Sequence, residues 1–416
     1  MHDRPRHESP PTVVQRRLTR VFLALIVLGV VARVALAAIS YGSLDAKIWE
    51  SFARGIHDDG LLKLYAERHQ FNHPPIPGLW AAGALRISGW TGLRFQFVFK
   101  LPMIAADALA CWLLWRAWRE RGASPVFAMG VATLFAWNLD SILIAGHHCN
   151  TDPIYAMLAL ASVYLAQARR AHFASGLALA AAINVKLIPV LLILPMIAAF
   201  NGRRNVPAMA RFLGGLSVGV LPFIVVLIAQ GAAFARNALA YASGVEYWGF
   251  NYFLRTAARQ PKLADWAKGV IDEFHDRGRF VMILAIALAM LHLRRRSAAS
   301  ASESSAGFDR YSAAAVAAAL FLVLTSGFGY QYTVFVGPLL LAVRPLCGAM
   351  YGLLSGMYLL TNYWLGWFGG FPIDTTLAPD PVAPGPLFGL LAWATLVVFV
   401  YGELRGMTKP RTQKSE

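Results

Sequence analysis

The chain has 416 residues, 57% of them hydrophobic and only 14% charged, with a formal net charge of +16. A soluble chain carries about 25% charged residues, so an ordinary soluble enzyme is excluded. The continuous Leu- and Ala-rich runs, which lack an alternation of period two, exclude a membrane β-barrel. The basic residues stand in short clusters between apolar runs. That is the positive-inside pattern of a polytopic helical membrane protein, and it argues against nucleic acid as a partner.

Residues 1–18 are polar and Arg-rich and read as a disordered cytoplasmic tail. The first span is expected at 19–40, with Arg33 inside it and therefore facing protein. A long outer loop, 41–94, follows. Within it 45–55 is expected as a short amphipathic helix with Ile48, Phe52 and Ile56 on one face, and 77–87 is apolar but short. Spans are then expected at 95–115, 125–144 and 154–168, followed by a short hairpin of 173–183 and 187–200 around Lys186. Further spans are expected at 212–230, 279–293, 313–325, 334–343, 351–367 and 387–400, about twelve crossings in all. Residues 231–278 and 368–386 read as second and third outer loops, and 406–416 as a cytoplasmic tail. The whole of 19–405 reads as one transmembrane domain. Cys111, Cys149 and Cys347 have no metal or disulfide spacing.

With this topology the chemically useful side chains gather on the outer side: Asp45, His73, His147, His148, Asn150, Asp152, Lys186, Tyr330 and Gln331. Asp45, just past the first span, reads either as a helix-capping carboxylate or as a general base at a low-dielectric boundary. Lys186 reads as a snorkelling cation or as the partner of an anionic group such as a phosphate. Lys100 and Asp107 are seven residues apart on one helix, about 10 Å along its axis, so they cannot pair with each other. Asp107 is expected to pair with Arg33. His147 and His148 are adjacent and diverge, so they give little support to a zinc site. His73 is set in a rigid His73-Pro74-Pro75 segment.

Several patches resemble the GT-C superfamily of integral-membrane glycosyltransferases. They are Leu44-Asp45-Ala46-Lys47-Ile48-Trp49, Asn72-His73-Pro74-Pro75, Gly146-His147-His148-Cys149-Asn150-Thr151-Asp152-Pro153, Asn184-Val185-Lys186-Leu187-Ile188-Pro189 and Gly329-Tyr330-Gln331-Tyr332. The resemblance implies an inverting transfer of a hexose, mannose before glucose, from a polyprenyl-phosphate sugar donor to a lipid or glycan acceptor. Asp45 would be the catalytic base. His73, Lys100, His147, His148, Asn150, Asp152, Lys186, Tyr330 and Gln331 would bind substrate. The acidic pair usual in that superfamily is missing, since Ser43 and Leu44 precede Asp45, so no cofactor or divalent metal is expected. The expected location is the plasma (inner) membrane, with both termini cytoplasmic and the site on the outer face. A transporter or flippase of a lipid-linked or anionic substrate is the alternative, suggested by the short helices and intramembrane cations.

Overall fold

The computed structural model describes residues 12–200, 205–239, 244, 247–300, 308–366 and 384–406, and every regular element among them is helical. Helix α1 (Val13–Ile39) starts inside the stretch expected to be a disordered tail. A reciprocal cap explains this: Gln15 N donates to Thr12 Oγ1 (3.2 Å) and Thr12 N to Gln15 Oε1 (3.0 Å). Residues 1–11 lie outside the described residues. The first outer loop is itself mostly helical, with α2 (Leu44–Asp59), α3 (Leu61–Glu67) and α4 (Pro75–Thr91). Helix α2 is the expected amphipathic helix. Its Trp49, Phe52 and Ile56 are buried against α4 and α5 (Phe95–Glu120).

The next apolar run, expected as one span at 125–144, is broken. Helices α6 (Pro125–Ala136) and α7 (Leu139–Leu143) meet at a 46° bend. Asn138 restarts the chain there by accepting a hydrogen bond from Ser141 N (3.1 Å). A π-helical turn, Ile144–His148, follows and ends at Cys149 in the left-handed region. Then come α8 (Asp152–Gln167), α9 (His172–Val185), α10 (Ile193–Ala198), α11 (Val206–Gly219) and α12 (Leu221–Phe234). The expected span 212–230 is therefore two helices, parted where Pro222 offers no backbone N–H. Helices α9 and α11 cross at backbone contact. A Cβ on Gly176 would lie 2.0 Å from Phe212 O, and one on Gly215 would lie 2.0 Å from Phe173 O.

Helices α13 (Phe250–Ala257) and α14 (Ala264–Ser300) occupy much of the expected second outer loop, and α14 runs on through the expected span 279–293. Helices α15 (Arg310–Leu324), α16 (Gly337–Val343), α17 (Pro345–Gly366) and α18 (Pro384–Arg405) complete the chain. Most of the expected third loop (367–383) and the C-terminal 407–416 lie outside the described residues.

The protein is a polytopic helical membrane protein, but the expected twelve crossings do not correspond to twelve spanning helices. Among the described residues four helices are long and apolar enough to cross a bilayer: Val13–Ile39, Phe95–Glu120, Leu221–Ala238 and Gly385–Arg405. The bent α6–α7 pair makes a fifth. His172–Val185, Ile188–Ala198, Arg310–Leu324 and Tyr330–Val343 are shorter apolar helices of 10–17 residues. At about 1.5 Å per residue these fall short of a hydrocarbon core of about 30 Å. Such pieces are tolerated at membrane depth when protein surrounds them, and α15 is so surrounded: Ala313 to Ala319 are all fully buried.

The ends of α5, α8, α14, α16 and α18 gather on one side and are tied by basic residues. Arg121 Nη2 donates to Ala342 O (2.6 Å), Arg344 pairs with Glu403 (3.0 Å), Arg296 Nη1 donates to Leu404 O (2.6 Å), and Arg169 reaches Glu120 (3.5 Å). Deep in the bundle Arg33 pairs with Asp107 at 2.8 Å, as expected from the sequence, and both are buried. Arg33 also donates to Gly29 O (3.0 Å) and to Ser141 Oγ (2.7 Å), so α1, α5 and α7 are joined at one guanidinium. Removing one partner leaves an uncompensated buried charge, at a cost of about 3–5 kcal/mol. Arg33→Met should therefore lower the thermal unfolding midpoint in detergent strongly, and Arg33→Met/Asp107→Leu should recover most of the loss. A double variant no more stable than the single one would contradict this account.

Candidate functional site

The site is built where α1 ends. Gly42, at φ +116°, lets the backbone turn against the π-helical segment; a Cβ there would lie 2.9 Å from His147 O. Ser43 then performs two tasks. Its Oγ donates to His148 O (2.7 Å) and accepts from Asp45 N (3.3 Å) as the N-cap of α2. This double fastening places Asp45, in the first turn of α2, beside the turn that carries His148 and Asn150.

Asp45 Oδ2 accepts from Asn150 Nδ2 at 2.6 Å and lies 3.3 Å from His148 Nε2. On the far side of the imidazole, the Tyr363 hydroxyl hydrogen-bonds His148 Nδ1. With Tyr363 donating to Nδ1, a neutral His148 carries its proton on Nε2, the ring nitrogen nearer the carboxylate. The Asp45 side chain is 30% exposed, and that exposure is to a cavity it lines. Burial pushes its carboxyl pKa up, but the bonds from His148 and Asn150 and the charge of Lys186 outweigh burial and hold it below the usual carboxylate value. Asp45 is thus an ionised acceptor.

The cavity has a volume of about 650 Å³. Its polar wall includes Asp45, Asn150, Lys186, His73 and Gln331; its apolar wall includes Leu187, Ile188, Met282 and Phe321; Gln70, Asp276 and Arg279 also line it. Lys186 caps the C-terminus of α9 and is buried. Its Nζ lies 2.9 Å from both carboxylate oxygens of Asp152 and 4.6 Å from the centre of the Tyr332 ring. Tyr155 Oη completes the group by donating to Asp152 Oδ1 at 2.9 Å. The His73 ring packs on Trp49 at 4.5 Å between centroids. Burial, assisted by the positive charge of Lys186, pushes the His73 pKa down to about 3.

The structure thus brings Asp45, His73, Asn150, Lys186 and Gln331 to one cavity, with His148 and Asp152 directly behind. Lys100 and His147 do not line it. Lys100 is fully buried and donates to Ser40 O (3.0 Å), and His147 Nδ1 is bonded to Ser40 Oγ (2.5 Å), so both brace the end of α1. Tyr330 packs on Tyr358, reaches Asn362 Oδ1 (3.4 Å) and does not line the cavity. Sequence reasoning missed Tyr363, Tyr155, Tyr332 and the His275–Arg279 stretch of α14. Tyr332 and Arg279 were visible as polar residues at the edges of apolar runs. Tyr363, 215 positions from His148, left no local signal. Among the described residues no group of three or more His, Cys, Asp or Glu is placed to hold a metal.

The chain is similar to the GPI transamidase subunit PIG-U, whose family model matches residues 57–263, just under half of the chain. No curated protein matches it. The matched stretch contributes His73, Asn150 and Lys186 to the cavity and Asp152 behind it; Asp45 precedes it. This finding corrects the expected function. A likeness to a subunit of a transamidase overturns glycosyl transfer, and the alternative of transport, as the reading of this chain, together with its assignment as a hexosyltransferase. The proton abstraction expected of Asp45 belonged to that reaction. The match agrees with a multi-pass membrane protein that works with protein partners, and it does not speak for a polyprenyl-phosphate sugar or for the plasma membrane.

The His73 environment gives a pH dependence of defined sign. Below pH about 6.5 the unfolded chain protonates this imidazole, whereas the folded chain keeps it neutral down to about 3. Its contribution to stability is therefore complete above 6.5 and is lost as pH falls through that window. His73→Gln should lose less thermal stability than wild type between pH 7.5 and pH 5. Equal losses would contradict the buried, neutral state of His73.

Proposed function

We propose that this chain is a membrane-embedded, non-catalytic subunit of an assembly that attaches lipid anchors to proteins, and that its part is to hold the polar headgroup of the lipid. The observation that carries this reading is the amphipathic cavity itself. About 650 Å³ is the size of a small-molecule site, and it joins a charged wall to an apolar one within a bilayer-embedded bundle. Several of its polar residues come from the stretch that is similar to the transamidase subunit. A headgroup seated at Asp45, Asn150 and Lys186 leaves Ile188, Met282 and Phe321 beside its hydrocarbon.

A holding role agrees with how the polar groups are used. Lys186 is neutralised by Asp152, and Asp45 is restrained by His148 and Asn150. Among the described residues, the two aliphatic hydroxyls on the wall donate to backbone, Thr325 to Gly327 O and Ser326 to His275 O. None of the lining residues is a cysteine. A carboxylate, cation and amide set rigid by their neighbours selects a ligand's shape and charge. The Arg-tied end of the bundle lies opposite the cavity. By the positive-inside rule, the cavity then faces away from the cytoplasm.

Extraction of the chain from its own membranes in mild detergent tests this reading. It should migrate with other polypeptides and carry lipid detectable by mass spectrometry. Lys186→Met/Asp152→Leu removes both charges, so no lone buried ion confounds folding. It should keep the partner polypeptides and lose at least tenfold of the bound lipid, the equivalent of one charge-assisted hydrogen bond of about 1.5–3 kcal/mol. A chain without partners, or a variant with undiminished lipid, would refute the proposal.

A further inference from the structure

Asp140, in the first turn of α7, does not line the cavity and is buried. It lies in the seam where α17 meets α7 at backbone contact. A Cβ on Gly356 would lie 2.7 Å from Asp140 N, and one on Gly352 would overlap the Asn138 side chain. Asp140 Oδ1 is 2.8 Å from Thr333 Oγ1, and Oδ2 is 2.9 Å from Ser355 Oγ. Thr333 and Ser355 are themselves buried. Among the described residues Asp140 forms no ion pair.

The cations of the bundle interior are committed elsewhere. Arg33 has five N–H donors, and all five are used. Nε donates to Asp107 Oδ2 (2.8 Å), Nη1 to Gly29 O (3.0 Å) and Ala136 O (2.5 Å), and Nη2 to Phe135 O (3.3 Å) and Ser141 Oγ (2.7 Å). Lys186 is held by Asp152 at 2.9 Å, and Lys100 donates to Ser40 O. The charges that act on Asp140 include the carboxylates of Asp107 and Asp152. An ionised Asp140 would thus be a lone anion beside two others in a bundle that excludes water, which is costly. The hydrogen bonds have room for a proton instead. Thr333 Oγ1 also lies 2.8 Å from Tyr330 O, and Ser355 Oγ 2.8 Å from Tyr351 O. Two hydroxyls have two hydrogens between them, too few for four acceptor contacts. A carboxyl proton supplies a third: a hydroxyl that donates to its backbone carbonyl can accept from the acid.

We propose that Asp140 is held as a neutral carboxylic acid and that, through Thr333, it positions the part of the cavity wall formed by Gln331 and Tyr332. Thr333 belongs to the 3₁₀ segment Tyr330–Phe335, which carries both of those residues. The segment is pinned twice at Thr333, its hydroxyl by Asp140 and its carbonyl by the Tyr351 hydroxyl (2.9 Å). One residue before, the centre of the Tyr332 ring lies 4.6 Å from Lys186 Nζ. Asp140 is therefore a positioning residue, joining α7, the 3₁₀ segment and α17 at one group. The assignment does not depend on what the cavity holds.

Infrared difference spectroscopy of the detergent-purified full chain at neutral pH tests the protonation. Wild type minus Asp140→Asn should show a carboxylic-acid C=O band and no change in carboxylate absorption. A lost carboxylate band with no acid band overturns the proposal. An amide offers a donor and an acceptor at the same reach, so Asp140→Asn should fold, and its failure to fold also counts against the proposal. Hydrogen–deuterium exchange reads the positioning. In Thr333→Val the amides of 330–336 should exchange about tenfold faster, the equivalent of one lost hydrogen bond, while those of α5 and α18 stay unchanged. Thr333→Ser keeps the hydroxyl and should match wild type within about twofold, whether or not the Val variant folds. Unchanged or uniformly faster exchange in Thr333→Val, or a Ser variant that is loosened or unfolded, overturns the positioning role.

Discussion

The joint between the end of α1 and the turn at Gly146–Asn150 sets the geometry of everything around it. Two polar contacts hold it from the α1 side, Ser40 to His147 and Ser43 to the His148 carbonyl. The missing Cβ of Gly42 lets the two backbones approach. From below, the Lys100 ammonium donates to the Ser40 carbonyl. The turn is π-helical, each hydrogen bond spanning one residue more than in an α-helix, and such segments concentrate at functional sites. Here its consequence is concrete. It carries the adjacent His147 and His148, one bracing α1 and the other set beside Asp45.

Behind this joint stands a second polar layer whose members are matched to one another. Arg33 and Asp107 with Ser141, and Asp140 with Thr333 (2.8 Å) and Ser355 (2.9 Å), place charged and hydroxyl groups deep in the bundle, each with a partner. Buried polar groups of this kind are costly when unpaired and specify position when satisfied. They fix α1, α5, α7 and α17 relative to one another, and the cavity inherits that rigidity. Asp152 and Lys186 form the equivalent pair at the cavity wall, joining the start of α8 to the end of α9.

Much of this was legible in the sequence. Composition and the distribution of Arg identified a polytopic helical membrane protein. The impossibility of an intrahelical Lys100–Asp107 pair pointed correctly to Arg33–Asp107. The first-loop amphipathic helix was readable from Ile48, Phe52 and Ile56. What was not legible has physical causes. Hydropathy counts apolar residues and does not register where Asn138 or Pro222 interrupts a helix, so bent and re-started helices were read as spans. A buried lysine reads alike whether it faces a ligand or braces a carbonyl, and Lys100 does the latter. Contacts such as His148–Tyr363 join residues far apart in the chain, and no local pattern foretells them. The function was misread for a related reason: carboxylate, histidine and lysine in one region suit a reaction or a recognition site equally, and it was the likeness to the transamidase subunit that overturned glycosyl transfer.

Electron cryomicroscopy of the chain in nanodiscs made from its own membrane lipids decides whether this cavity holds a lipid headgroup. The account predicts elongated density in the cavity, with its polar end within hydrogen-bonding distance of Asp45 and Lys186 and its tail along Ile188, Met282 and Phe321. A well-resolved cavity that is closed or filled only by water, with ordered lipid seated elsewhere on the bundle, would contradict it.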